Sequence, residues 1–183
     1  MRRNGFTLVE LSIVLVIIGL LLGGVIKGKA MIDNAKIKRV KSDIDGIATA
    51  VNTYQDKYRQ LPGDDSVDHN GAGCTGNANG FINTTAERVC AWKQLIAAGM
   101  ISGDKTQTTL AGLAKKTPYA GYYAFNSNAN NPYYIYIPGN VTPNDTIESL
   151  DIKYDDGVYN TGDIISNRAY TDKRASQLTW YVY

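Results

Sequence analysis

The first residue that could do chemistry is a single carboxylate inside an apolar stretch. Glu10 lies within residues 6–26, which are otherwise nearly all apolar. A carboxylate inside a membrane helix costs about 2.5–3.5 kcal/mol on insertion scales, so a partner is expected. No Lys or Arg lies one helical turn away. The nearest candidate cation is an N-terminal amine, which cleavage near Gly5 would create; the alternative is a tolerated charge near the membrane interface.

The apolar run has the length of a membrane-spanning helix. Its 21 residues span about 32 Å at 1.5 Å per residue, which is enough to cross a bilayer core. An ordinary secretory signal has its small-residue cleavage site after the apolar stretch. The small residue here, Gly5, stands before the stretch, where a protease with a narrow pocket would accept it.

Two cysteines and four aspartates are the other candidates for chemistry. The two cysteines, Cys74 and Cys90, indicate either one disulfide in an exported domain or two free thiols. The aspartates flank an Asp-Asp-Gly turn, so they predict either a calcium site built from loop oxygens or simply a helix stop and turn. They are Asp151, Asp155, Asp156 and Asp163. No other cofactor is indicated.

A second helical pattern follows the apolar run. Apolar side chains recur at alternating steps of three and four residues, which predicts one stripe along a helix. The stripe fits either a two-stranded coiled coil or, as we prefer, a surface that covers the sheet of its own domain. Pro62 and Gly63 should end the helix. The stripe consists of Ile37, Val40, Ile44, Ile47, Val51, Tyr54, Tyr58 and Leu61.

The charges exclude some partners and leave others open. Formal net charge is +2, and it falls to zero without Arg2 and Arg3 (19 − 2 = 17 basic against 17 acidic residues), so nucleic acid is not expected as a partner. Six basic residues after the apolar run form either a solvated helix face or a contact with lipid headgroups or neighbouring subunits. They are Lys27, Lys29, Lys36, Lys38, Arg39 and Lys41. No enzyme constellation is evident, and we predict that the chain is not an enzyme.

The rest of the sequence predicts a small domain of helices and strands. Residues 64–85 read as a loop in which His69, the only histidine, is exposed to solvent. Helices are predicted at residues 86–100 and 145–154. Strands are predicted at 119–125, 132–137, 163–170 and 178–183, with a hairpin loop at 126–131.

The N-terminus resembles the class III leader of type IV prepilins and type II secretion pseudopilins. The resemblance rests on Gly-Phe-Thr-Leu-Val-Glu-Leu at residues 5–11, followed by Ser-Ile-Val-Leu-Val-Ile-Ile-Gly at residues 12–19. It implies that a membrane aspartyl peptidase cuts after Gly5 and methylates the new N-terminus, Phe6. It also implies that Glu10 pairs with the N-terminal amine of a neighbouring subunit and sets the filament register.

The same resemblance implies a fold and a division of the chain. The fold is an α+β lollipop, in which a long N-terminal helix packs on a small antiparallel β-sheet domain. The expected parts are a leader peptide at 1–5, a transmembrane and filament-core helix at 6–28, its amphipathic half at 29–61, and a globular domain with the disulfide loop at 62–183. Many members carry a proline near the end of the apolar stretch. This chain has Gly23, Gly24 and Gly28 there instead, which would permit a similar loosening of the helix.

The implied function is that of a structural subunit, major or minor, of a type IV pilus-like filament or a type II secretion pseudopilus. The alternative is a surface-displayed adhesive or ligand-binding minor pilin. Expected partners are further copies of the chain, sibling pilins, a prepilin peptidase, an inner-membrane assembly platform and, before assembly, membrane lipid. The N-terminus would lie in the cytoplasm before assembly, and the filament would be periplasmic or extracellular. Positive-inside counting favours the opposite orientation, because two basic residues precede the span and six follow it.

Overall fold

The fold is α+β, as predicted. The structure is a computed structural model that describes residues 7–128 and 131–181. A 51-residue N-terminal helix is followed by a small antiparallel four-stranded sheet with three short helices around it. The chain divides into two compact units, Met1–Lys38 and Arg39–Tyr183.

The first helix, α1, spans Leu8–Tyr58 and runs through its glycines without a break. It ends three residues before the predicted end at Leu61. The reason is Arg59, whose φ of 60° is left-handed and cannot continue a right-handed helix. Pro62 further disfavours a helical conformation at Leu61, since its ring restricts the preceding residue.

Seven shorter elements follow α1 within the described residues. Helix α2 begins with a capping box, in which the Thr84 side chain accepts from the Glu87 backbone and the Glu87 side chain accepts from the Thr84 backbone. The short helix α3 was not predicted. The elements are α2 (Thr85–Ala97), α3 (Leu110–Leu113), β1 (Ala124–Asn128), β2 (Asn131–Thr142), α4 (Asn144–Tyr154), β3 (Ile164–Ser166) and β4 (Ser176–Tyr181).

The sheet has the strand order β1-β2-β4-β3, and every neighbouring pair is antiparallel. Register places one residue from each strand in a row across the sheet, and all four are buried because side chains in one row share a face. The row consists of Phe125, Ile135, Trp180 and Ile164. This face forms part of the core of the second unit.

The apolar stripe of α1 forms another part of that core. Between Val40 and Tyr54, all five stripe residues are at most 2% exposed. These residues are buried within the single chain, so the stripe packs inside its own domain, as we preferred, rather than against a second helix in a coiled coil. Tyr58 and Leu61, at the end of the stripe, are half-buried.

The first predicted strand was placed too early. The Thr117 hydroxyl accepts hydrogen bonds from the backbone of Tyr119 and Gly121, and Ala120 has a φ of 61°. These residues form a turn, so β1 begins only at Ala124. The predicted hairpin loop was too long, since pairing continues to Asn128 opposite Asn131. Strand β3 is shorter than the predicted strand at 163–170, and β4 begins two residues before the predicted strand at 178–183, whose last two residues lie outside the described residues.

Candidate functional site

The start of α1 is held by hydrogen bonds between Thr7 and Glu10. Oε2 of Glu10 accepts from the Thr7 backbone N–H and from the Thr7 hydroxyl, both at 2.8 Å. The Glu10 backbone N–H donates to the Thr7 hydroxyl at 3.2 Å. This reciprocal pattern is a capping box, which satisfies N–H groups that the first turn of a helix leaves without partners. Thr7 is therefore the N-cap residue of α1.

Glu10 was predicted as a functional residue from the sequence, but its partner Thr7 was not. The signal was present, because Thr-x-x-Glu before an apolar run is typical of a helix N-terminus. The predicted cleavage and methylation residues, Gly5 and Phe6, lie outside the described residues. Cleavage after Gly5 and pairing of Glu10 with a neighbouring amine stay predictions.

The Glu10 carboxylate has no cationic partner among residues 7–128 and 131–181. Its hydrogen bonds there come from Thr7 alone and go to one oxygen, Oε2. The next charged residue along the chain is Lys27, almost five turns away. The arrangement leaves Oε1 open for a hydrogen-bond donor from outside the described chain, and a protonated amine is the donor that would also neutralise the charge.

The side chains around Glu10 form an apolar surface. Every large apolar residue from Leu8 to Ile26 is exposed, by between 45% and 87%. By length and composition, α1 contains one helix segment that could cross a membrane. A contiguous exposed apolar surface of this extent indicates a membrane or a protein partner.

Cys74 and Cys90 form a disulfide, as predicted. Cys90 lies on α2, so the bond ties that helix to the loop that follows α1. The loop is further held by Asp64, whose carboxylate accepts backbone hydrogen bonds from Asn79 at 2.9 Å and Gly80 at 2.7 Å. The second unit thus has a covalent link that an oxidising compartment would preserve.

His69 is exposed to solvent, as predicted, and it also contacts two neighbouring side chains. Its ring stacks on Tyr58 with centroids 4.4 Å apart, and its Nε2 lies 3.4 Å from Oδ2 of Asp65. Asp65 is fully buried and also accepts a hydrogen bond of 2.8 Å from the Tyr54 hydroxyl. Burial and the Asp65 carboxylate together raise the pKa of Tyr54. These contacts fix the loop against the end of α1.

Three of the four candidate calcium ligands come together. One carboxylate oxygen from each lies within 4.8 Å of the other two in the group formed by Asp151, Asp155 and Asp156. Asp163 is not part of this group. Their oxygens accept hydrogen bonds from the chain itself: Asp155 accepts from the backbone of Asp163 and Ile164, at 2.6 and 2.7 Å.

The other two aspartates of the group also accept hydrogen bonds from the chain itself. Asp151 accepts from the Tyr170 hydroxyl at 2.5 Å and from the Gly157 backbone at 2.9 Å. Asp156 accepts from Val158 and Thr161, and the Thr161 hydroxyl is the main reason that the pKa of this carboxyl lies below its ordinary value. The hydrogen bonds match the interpretation as a helix stop and turn, and calcium binding stays a prediction.

Comparison with known proteins points to the N-terminus. Residues 1–26 match the family model described as the prokaryotic N-terminal methylation motif. No curated protein and no solved structure gives a significant match to the chain. The match includes Gly5, Phe6, Thr7 and Glu10. Residues 1–26 therefore carry the class III leader of type IV pilins and type II secretion pseudopilins.

Proposed function

We propose that the chain is a structural subunit of a type IV pilus-like filament or of a type II secretion pseudopilus. A prepilin peptidase cuts it after Gly5 and methylates Phe6. The observation that carries the proposal is the exposed apolar half of α1 with one carboxylate, Glu10, near its start. The methylation motif on the same residues supports it.

The apolar surface requires two successive environments. Before assembly, the membrane covers residues 8–26, since leaving these side chains in water would cost about 25 cal/mol for each Å² of apolar surface. After extraction, the same surface packs against the helices of neighbouring subunits. Glycines at 19, 23, 24 and 28 leave open space where a Cβ would stand, so the helix offers shallow places for close packing.

Glu10 supplies the specificity that an apolar surface lacks. Apolar packing is non-directional and permits sliding of one helix along another. A carboxylate that must find an amine in a dry filament core selects one axial position, because an unpaired charge there is costly. Thr7 holds the carboxylate in place until the amine arrives, and the amine of a neighbouring chain is created by the cut after Gly5.

Exchange of Glu10 tests this function. The Glu10→Gln variant keeps the shape of the side chain and removes its charge. In cells that contain a prepilin peptidase and its assembly machinery, we expect this variant to be cut normally but to be absent from sheared fibres. The matched control is Asp33→Asn, which removes another exposed acid from α1 and should assemble like the wild type.

Two results would contradict the proposal. One is a Glu10→Gln chain that enters fibres as well as the wild type. The other is a wild-type chain that is cut but never found in fibres. A chain present only in trace amounts at fibre ends would instead favour the adhesive minor pilin.

A further inference from the structure

The membrane-proximal part of α1 carries three exposed lysines that form no ion pair with the described residues. The lysine segment, residues 27–38, contains four lysines and one acid, Asp33, so its formal charge is 4 − 1 = +3. Lys27, Lys29 and Lys38 are exposed and have no ion pair within the described parts of the chain.

The next two cations along α1 behave differently. Lys41 binds both carboxylate oxygens of Asp45, at 2.5 and 2.6 Å, and Arg39 lies 3.7 Å from Asp43. Both pairs have the i,i+4 spacing that brings side chains together on a helix. Ion pairs within the chain therefore engage Arg39 and Lys41, whereas Lys27, Lys29 and Lys38 need an anion from outside the described residues.

The positions of these lysines match the surface of a bilayer. Residues 8–26 span about 28 Å at 1.5 Å per residue, close to the 30 Å of a hydrocarbon core. Lys27 and Lys29 then lie in the headgroup layer. The exposed apolar side chains of Met31 (67%) and Ile32 (58%) continue beyond them, so this part of the helix presents both charge and apolar surface to the interface.

We infer that Lys27 and Lys29 bind the phosphate groups of anionic phospholipids while the subunit waits in the membrane. The inference rests on the membrane anchoring in the proposed function and goes beyond it by naming the lipid class. The contact would also offset the unfavourable charge distribution around the span, because headgroup anions would neutralise the lysines on the outer side. Packing into a filament would remove the helix from these headgroups.

Lipid selectivity of the full-length chain tests the inference. The chain is reconstituted in nanodiscs of phosphatidylcholine, and spin-labelled phosphatidylglycerol and phosphatidylcholine are compared by electron paramagnetic resonance. We expect the wild type to prefer phosphatidylglycerol by at least about fivefold, since one lysine near an anionic surface contributes about that factor. Lys27→Gln/Lys29→Gln should lose the preference, and Lys27→Arg/Lys29→Arg should keep it.

The matched control is Lys57→Gln/Lys173→Gln, which removes the same charge from two exposed positions of the second unit. This variant should bind like the wild type, and circular dichroism should show equal helix content in every variant. A wild type without preference, or an unchanged preference in Lys27→Gln/Lys29→Gln, would overturn the inference. Normal lipid selectivity with unstable fibres in that variant would also overturn it, and would assign the lysines a role between subunits instead. Because the assay needs neither cleavage nor assembly, its outcome is independent of whether the chain forms a filament.

Discussion

Removal of the disulfide gives a prediction whose magnitude follows from the structure. Cys74 and Cys90 are 16 residues apart in the sequence. In the loop-entropy model, a cross-link of this span raises the free energy of unfolding by about 3 kcal/mol, because it restricts the unfolded chain. The hydrogen bonds to Asp64 act only in the folded state and do not replace this restriction. Cys90 is 2% exposed, so Cys74→Ala/Cys90→Ala avoids burying a new polar group.

Urea denaturation of the full chain in detergent measures the effect. The chain has two tryptophans, Trp92 and Trp180, and both are buried in the second unit, so their fluorescence reports its unfolding. With a slope of about 2 kcal/mol per molar urea, the double variant should unfold at about 1.5 M less urea than the oxidised wild type.

The reduced wild type is the matched control and should unfold with the double variant. A reductant should leave the double variant itself unchanged. If the variant unfolds within about 0.3 M of the oxidised wild type, the loop is stabilised by its hydrogen bonds alone, and the reasoning from chain entropy is refuted.

Two further predictions concern single hydrogen-bonded side chains. Thr7→Val removes the N-cap hydroxyl, which stabilises the helix by about 1 kcal/mol, so the rate of amide hydrogen exchange at the start of α1 in micelles should rise about fivefold. Thr7→Ser keeps the hydroxyl and should exchange like the wild type. Equal exchange rates in all three proteins would contradict the capping box. The backbone N–H groups of Gly73 and Ala72 hold the pKa of Asp68 below its ordinary value. The ionised carboxylate therefore stabilises the fold, and this stabilisation is fully present above the pKa of the unfolded chain, near 3.9. It is lost as the pH falls through the lower pKa of the folded chain. Asp68→Asn should therefore lower the urea midpoint at pH 7 and differ less from the wild type below pH 4; an equal difference at both pH values would contradict this assignment.

The sequence predicted those features that depend on a regular pattern. The alternating steps of three and four residues predicted both the helix and its buried face, because a period of 3.6 residues places the stripe residues between Val40 and Tyr54 on one side of α1. Strand β3, by contrast, was predicted too long. Strand composition marks residues that suit a sheet, but backbone pairing decides where the ladder ends, and β3 pairs over only three residues.

Features that depend on a single backbone conformation were not predicted. A left-handed Ala120 turns the chain before β1, and a left-handed Arg59 ends α1, yet neither residue type favours that conformation. The contacts of His69 with Tyr58 and Asp65 join a loop to the end of α1. Such contacts depend on how the loop folds back, which no local pattern encodes.

The candidate site was predicted in part for the same reason. Glu10 stands out in the sequence because its charge is out of place in an apolar run. Thr7 does not stand out, because a threonine is common at many positions, and its role becomes clear only when the hydrogen bonds place it at the N-cap. For the aspartates around Gly157, the sequence was compatible with either a calcium site or a helix stop and turn. In the structure their oxygens accept hydrogen bonds from nearby backbone N–H groups.

Intact-mass analysis of the chain shows whether it is processed as a prepilin. The chain is purified from cells whose prepilin peptidase processes a control prepilin. We expect a mature chain that begins at Phe6, carries one added methyl group on its N-terminus and retains the Cys74–Cys90 disulfide. An uncut chain that still begins at Met1 in the same cells would contradict it.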